Sequence, residues 1–371
     1  MRRSRYLLLL LSIGMLIGSV GCSGAQDSTD GSNEPAGEIL ETSEDQETEV
    51  QNGINEADDV QEREEEWQEI DPEELGVDEL GQVMVLMYHH IREPEAEWSR
   101  TPDNFRQDLE NLYQQGYRPL RLEDYATGNI TTPPGKTPVV LTFDDGNQNN
   151  FNMIEDESGE WIIDPDSAVG ILMDFHEEHP DFMPHATFFI NGGTPFGQKE
   201  WVDYKLNFLV DNGMDIGNHT ATHLHLGEAD AATIQRELGR IVQLVSEYVP
   251  DYDVNTFALP FGSRPKDEAL WSYLVSGEHE EVSYHHVAVL EVGWDPYHSP
   301  YHEDFDGSRI RRVRASETKV DGVGMYDWMS TFESGSRIRY ISDGNPDVVT
   351  IPKERVDHLS SDISEESKRT Y

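Results

Sequence analysis

The stretch 137-TPVVLTFDDGNQNN-150 ends an apolar run, Val139, Val140, Leu141 and Phe143, with two adjacent carboxylates, Asp144 and Asp145. A continuous apolar run of this length reads as a strand buried on both faces. Two neighbouring carboxylates at the end of such a strand repel each other and resist burial. A cation beside them resolves the conflict, so the pair points to a metal site at a strand's C-terminal end.

The surrounding chain supplies the frame for such a site. The segment 83-VMVLMYHHI-91 is a second apolar run, ending in Tyr-His-His. In 103-DNFRQDLENLYQQGY-117 the period changes to that of a helix, with Phe105, Leu109, Leu112 and Tyr113 on one face and Gly116 as the stop. The alternation continues with a helix over 167–179, a strand over 186–190, a helix over 203–212 and a short strand over 214–217. A long amphipathic helix over 229–248 then leads to strands at 256–259 and 286–292. Strands alternating with helices predict parallel βαβ units, in an open sheet or closed into a barrel. In such folds chemistry gathers at the C-terminal strand ends, where Asp144, Asp145, His89, His90 and Asn191 all fall.

A second signal is 213-GMDIGNHTATHLHL-226. His219 and His223 are four apart, the spacing that puts two imidazoles on one helical face. Two histidines and one carboxylate make a facial three-ligand set with positions left open, as in hydrolytic zinc sites. An isolated pair at this spacing is more often packed or solvated; the Asp pair one βα unit earlier is what gives it weight. Thr220 and Thr222 are short hydroxyl residues able to orient their neighbours. A third signal, 257-FALPFG-262, is a Pro-aromatic-Gly turn after a strand. Such a turn fixes the backbone and can aim an amide N–H into a cleft, where it would stabilise an oxyanion.

The ordered set 142-TFDDG-146, 219-HTATH-223 and 259-LPFG-262 resembles the polysaccharide deacetylases of carbohydrate esterase family four, the NodB-homology group, over about Val83 to Arg312. The resemblance implies an α/β fold, a distorted (β/α)7 barrel in a single catalytic domain, and metal-dependent removal of acetyl from N-acetylhexosamine units of a glycan. By motif, Asp144 would be the general base, and Asp145, His219 and His223 the metal ligands. The Phe261 backbone N–H would share the oxyanion, and His225 would be a reserve ligand or a solvated neighbour. The implied metal is Zn²⁺, with Co²⁺ or Ni²⁺ suiting the same donors. Two departures stand out. Many family members carry an Arg before the Pro of the third motif, contacting the base; here Ala258 stands there. No clear Asp-Trp pair orients such an Arg, although 292-VGWDPYHSP-300 lies in the right region, and for the general acid only His298, His302 and His358 offer themselves.

The chain has 371 residues with 73 Asp+Glu against 27 Lys+Arg, a formal charge of −46. So acidic a chain offers no footprint for nucleic acid. Residues 1–21 read as a signal peptide, with Arg2, Arg3 and Arg5 before an apolar stretch too short to span comfortably. The ending 19-SVGC-22 resembles a lipoprotein box, predicting a lipid on Cys22, a membrane anchor and an extracytoplasmic location. Residues 22–81 read as an acidic disordered tether, 82–352 as the catalytic domain and 353–371 as a polar tail. Aromatic residues Trp161, Trp294, Tyr297 and Tyr301 could line a glycan groove or simply pack. The basic run 308-SRIRRVRAS-316 is expected to pair internally. Partners are therefore a polysaccharide or oligosaccharide and a membrane. The rival readings are a glycan-binding pseudoenzyme, an amidohydrolase acting on a non-glycan amide, and a solute-binding lipoprotein.

Overall fold

The computed structural model describes residues 70–371; the expected signal peptide, Cys22 and most of the expected tether lie outside these residues. The apolar runs become the strands of one eight-stranded sheet. In chain order these are β1 (Met84–Tyr88), β2 (Tyr117–Pro119), β3 (Thr137–Phe143), β4 (Thr187–Ile190), β5 (Asp215–Asn218), β6 (Thr256–Ala258), β7 (Ala288–Leu290) and β8 (Val313–Arg314). Neighbours run β7-β6-β5-β4-β3-β1-β8, with β2 also paired to the start of β3, and every pairing is parallel. Every residue of β1 and β3 is buried, as continuous apolar runs require.

Helices cover the sheet. These are α1 (Pro102–Gln114), α2 (Ala168–Glu178), α3 (Val202–Asp211), α4 (Ala231–Ser246) and α5 (Met325–Glu333). Their starts follow from local chemistry: Thr101, Ser167 and Asp230 each accept a first-turn backbone N–H, from Asn104, Gly170 and Thr233. The face of α1 read from the sequence buries Phe105, Leu109 and Leu112. Phe105 meets Tyr88 and Phe143 edge-on, while Tyr88, Phe143 and Phe188 stack across β1, β3 and β4 at 5.1 and 4.8 Å. Each such aromatic pair contributes about 0.5–1.5 kcal/mol beyond its buried area.

The sheet curls, and one segment bridges its outer strands. Ile310 donates to the Val289 carbonyl at 3.0 Å and accepts from the Glu291 N–H at 2.8 Å. Three residues further on, β8 pairs with β1, Leu86 opposite Val313 and Met87 opposite Arg314. The 310–314 segment thus joins β7 to β1.

Two expected boundaries need correction. Order begins well before Gln82: Asp71 caps a helical turn, Pro72–Leu75, and Val77 and Leu80 are buried. Glu79 is buried as well, its carboxylate accepting the backbone N–H groups of Asp343 and Thr350. Burial pushes the Glu79 carboxyl well above the usual carboxylate range, and the two backbone donors fix its oxygens in place. The expected polar tail is also built in. Lys368–Thr370 pairs in parallel with Val349–Ile351, and the Tyr371 hydroxyl donates to the Val77 carbonyl at 2.6 Å. Among the described residues no helix is long and apolar enough to cross a membrane.

Candidate metal centre

The turn after β3 delivers both carboxylates. Asp145 has a left-handed φ of 77°, followed by Gly146 at 59°, where an added Cβ would press on Ile190 at 3.2 Å. This reversal separates two chemically similar side chains into different surroundings. Asp144 is 2% exposed, whereas Asp145 faces the mouth of the barrel.

The loop after β5 delivers the imidazoles, and here the structure corrects the expected helix. Residues 219–225 form an irregular loop in which Thr220 and His223 adopt left-handed φ of 62° and 54°. A polar scaffold fixes it. Asn191 donates to the carbonyls of His219 and Thr220, Thr220 Oγ1 accepts the Leu224 N–H, and buried Glu237 accepts from both the N–H and hydroxyl of Thr222. A loop can bring residues i and i+4 together as a helix does, so the spacing was informative although the element was not helical.

The candidate ligand atoms of Asp145, His219 and His223 lie within 4.8 Å of one another. His223 Nε2 is 3.3 Å and His219 Nε2 3.5 Å from Asp145 Oδ1. His219 Nδ1 lies 2.7 Å from the Ala258 carbonyl, which can only accept, so this nitrogen carries the proton and Nε2 points into the cluster. Burial and the neighbouring His219 push His223 below the usual imidazole range, favouring the neutral form. One carboxylate and two imidazoles with inward Nε2 atoms form a donor set that fits a divalent ion such as zinc. His225 stands apart: its Nδ1 accepts from the Gly227 N–H at 3.3 Å and lies 3.2 Å from Ser263 Oγ.

The arginine missing from the third motif comes from elsewhere. Arg312, in the segment that joins β7 to β1, is fully buried and grips Asp144 with two hydrogen bonds, 2.7 Å to Oδ1 and 2.8 Å to Oδ2. It is oriented in turn by the Glu291 carbonyl and Thr142 Oγ1. Burial alone would raise the Asp144 carboxyl, but Arg312, with His219 and His89, holds it well below the usual carboxylate range. The rest of the basic run pairs internally as expected: Arg309 with Glu291, Arg311 with Asp295 and Arg314 with Glu97.

A second group, which sequence reasoning placed at a strand end but gave no role, is His89, whose Nε2 lies 3.9 Å from Asp144 Oδ2. Its ring packs 4.7 Å from Trp98, and burial lowers its basicity. Its position at the end of β1, a strand adjacent to β3, was the available signal. His298, His302 and His358 instead stack on one another, at 4.5 and 5.7 Å between rings, beside residues that pair with Val83 at the opposite end of β1. Tyr297 and Tyr301 are buried there and serve packing. Trp161 packs on Trp201, while Trp294 is 65% exposed.

Phe261 has φ 58°, a left-handed conformation that costs a non-glycine residue on the order of 1 kcal/mol. Leu259 is extended ahead of Pro260, so the turn is set by the proline before it. The Phe261 ring is 63% exposed and meets His223 edge-on at 4.5 Å. Its N–H has no acceptor among the described residues.

A family model described as polysaccharide deacetylase matches residues 182–274. That segment contains His219, His223 and the 259–262 turn, while Asp144 and Asp145 precede it. Among solved structures, the Streptococcus pyogenes deacetylase PplD, determined with acetate, is 17% identical with a TM-score of 0.50, covering 68% of this chain and 98% of that one. A polysaccharide deacetylase from Bacillus cereus is 21% identical with a TM-score of 0.48, covering 68% and 69%. IcaB from Ammonifex degensii is 19% identical with a TM-score of 0.45, covering 67% and 97%. A search of curated proteins finds no match. The curled parallel sheet with its helices is the (β/α)7 fold of the deacetylases, in one domain. The family model thus covers the segment that holds His219, His223 and the 259–262 turn, and PplD shares the fold.

Proposed function

We propose that this chain is a metal-dependent hydrolase that removes acetyl groups from N-acetylhexosamine units of a cell-wall or extracellular polysaccharide. The observation that carries this reading is the pairing of an ionised, buried Asp144 with the adjacent Asp145–His219–His223 donor set. Asp145, His219 and His223 would hold the ion. When bound, a divalent ion there supplies Lewis acidity at neutral pH.

The remaining work falls to the chain's own side chains. Asp144 accepts the proton of the attacking water as it adds to the acetamide carbonyl. Arg312 keeps that carboxylate charged and aimed. The Phe261 N–H, which has no acceptor among the described residues, donates to the oxyanion that develops on the carbonyl oxygen. His89, whose Nε2 lies 3.9 Å from Asp144 Oδ2, is placed to pass the proton that Asp144 has taken from the water on to the departing amine. The leader supports an extracytoplasmic protein held at the membrane by a lipid on Cys22.

The test is acetate release from defined chito-oligosaccharides, beside acetylated peptides, by the zinc-supplied wild type and by Asp144→Asn. Release from the glycans alone, abolished by chelation and lowered at least a hundredfold by the substitution, is the expected result. A zinc-loaded wild type that releases no acetate would make the domain a glycan-binding relative without chemistry. Release from peptides only would make it an amidohydrolase of another class.

A further inference from the structure

The end of the barrel opposite the metal centre carries a surface that none of these roles uses. Strands β1, β2 and β3 start there, just after Gln82, Gln115 and Lys136. The seven residues of β3 separate this end from Asp144 by roughly 20 Å, at ~3.3 Å per residue. The segment 337–340 crosses the strand starts. Gln82 donates its N–H to the Ile338 carbonyl at 2.8 Å, and the Arg339 side chain donates to the Gln115 carbonyl at 3.1 Å. The helical turn that opens the described chain, Pro72–Leu75, reaches the same end: a Cβ on Gly135, the neighbour of Lys136, would meet Leu75 at 3.5 Å. The tether and lipid read from the sequence are therefore attached at this end of the barrel.

The side chains displayed here combine positive charge with apolar surface. Ile338 is 49% exposed. Arg337 lies over the Trp328 ring at 5.7 Å, and Trp328 Nε1 donates to the carbonyl of Trp294, whose own ring is exposed. Lys136, Arg337 and Arg339 make no ion pair among the described residues. The neighbouring carboxylates Asp295 and Asp327 are already engaged, by Arg311 and by the Gly324 N–H, and Glu73 and Glu74 border the patch beside Leu75. In a chain of net charge −46, three unpaired cations beside three large apolar side chains stand against the general trend. Tryptophan flanked by arginine is the composition that settles at a membrane–water interface. Each such cation near anionic headgroups strengthens binding about fivefold. At physiological salt, charge reaches only ~8 Å, so the acidic far side of the barrel does not cancel the attraction.

We propose that this face rests on an anionic lipid surface, which turns the metal centre away from the membrane. The choice of a membrane as partner rests on the anchor reading. The test is co-sedimentation of the full chain carrying Cys22→Ser, so that no lipid holds it, with vesicles of phosphatidylglycerol and with vesicles of phosphatidylcholine. The protein partitions onto the anionic vesicles in preference to the neutral ones. Raising the salt to about 1 M, where charge reaches only ~3 Å, removes most of that preference. Adding Arg337→Gln lowers the partition about fivefold, and Trp294→Ala lowers it in the same direction. Circular dichroism confirms that both variants are folded. No preference for the anionic vesicles, or a partition unchanged in both variants, overturns the proposal. So does binding to dextran sulfate that is as tight as binding to vesicles and indifferent to Trp294→Ala, which makes the patch a site for soluble polyanions. The two readings fail separately. Vesicle binding by the Cys22→Ser chain, with a wild type that is equally soluble in cells, removes the anchor and keeps the patch. A membrane-bound wild type whose Cys22→Ser form ignores the vesicles keeps the anchor and removes the patch.

Discussion

Replacing Arg312 with methionine tests the electrostatic core of the site without touching a candidate metal ligand. The guanidinium is fully buried and makes two of its hydrogen bonds to Asp144, at 2.7 and 2.8 Å, so its removal leaves a carboxylate in a dry pocket. Breaking one half of a buried pair costs about 3–5 kcal/mol. Asp144 has one escape, which is to take up a proton. From an unfolded value near 4, protonation at pH 7 costs about 4 kcal/mol, and at pH 5 only about 1.4 kcal/mol. The predicted loss is therefore about 3–4 kcal/mol at pH 7 and about 1–2 kcal/mol at pH 5. In the wild type the folded carboxyl lies below its unfolded value. Its contribution is complete above about pH 4 and is lost only as the pH falls through the folded value, so it stays constant across this window. In the variant burial dominates, the folded carboxyl is raised, and stability improves as the pH falls. Urea unfolding of both proteins in chelator at the two pH values measures the difference, and titrations common to both cancel. Adding Asp144→Asn should recover most of the loss, because no buried charge is then left alone. A deficit below about 1 kcal/mol, or one identical at pH 7 and pH 5, would refute the reasoning.

Two further outcomes are expected. His286 is fully enclosed, with Nδ1 2.7 Å from the Leu274 carbonyl and no partner at Nε2, and burial pulls it down to about 4. Because its folded value lies below the unfolded one, the unfolded chain takes the proton first. Stability should fall by on the order of 3 kcal/mol as the pH drops from about 6.5 to 4, and His286→Gln should flatten that limb in urea titrations. At the other end of the chain, Cys22→Ser should move the expressed protein from the membrane fraction to the soluble extracytoplasmic fraction. An unchanged distribution on immunoblots would remove the lipid anchor.

The barrel was legible because its strands are buried on both sides. Such strands appear as runs, and the runs at 83–91, 139–143, 186–190 and 256–259 fall on β1, β3, β4 and β6. The candidate donor cluster was legible because its members follow strand ends within short local patterns. What escaped was non-local. Nothing near residue 144 announces that its countercharge is residue 312, since that contact exists only once the sheet has curled. His89 was placed at a strand end but given no role for the opposite reason: a histidine there has too many uses for its position alone to assign one. The helical reading of His219 and His223 failed because i,i+4 spacing carries no information about backbone. The loop is held instead by Asn191 and Glu237, which reach it from other elements. Composition misled at residues 71–81 and 353–371, where acidic and polar residues are retained in the fold by specific backbone donors and strand pairing.

The placement of Arg312 links completion of the fold to the chemistry of the site. Asp144 is buried among β-strand residues whose own side chains offer it no cation, and the fold would tolerate it poorly as an anion. The countercharge arrives on the segment that bonds to β7 through Ile310 and to β1 through Val313 and Arg314, the same segment that joins the sheet's outer strands. Until that segment docks, Asp144 lacks its strongest reason to remain ionised. Once it docks, the carboxylate is charged, oriented and shielded in one step. At position 258, where the family resemblance implies an Arg, the Ala258 carbonyl instead fixes the proton of His219. What the chemistry requires is a positive charge in a fixed direction at Asp144, and a strand on either side of β3 can present it. The physical constraint is thus on the geometry around the carboxylate, and the sequence position of the arginine is free to move so long as the barrel brings it back.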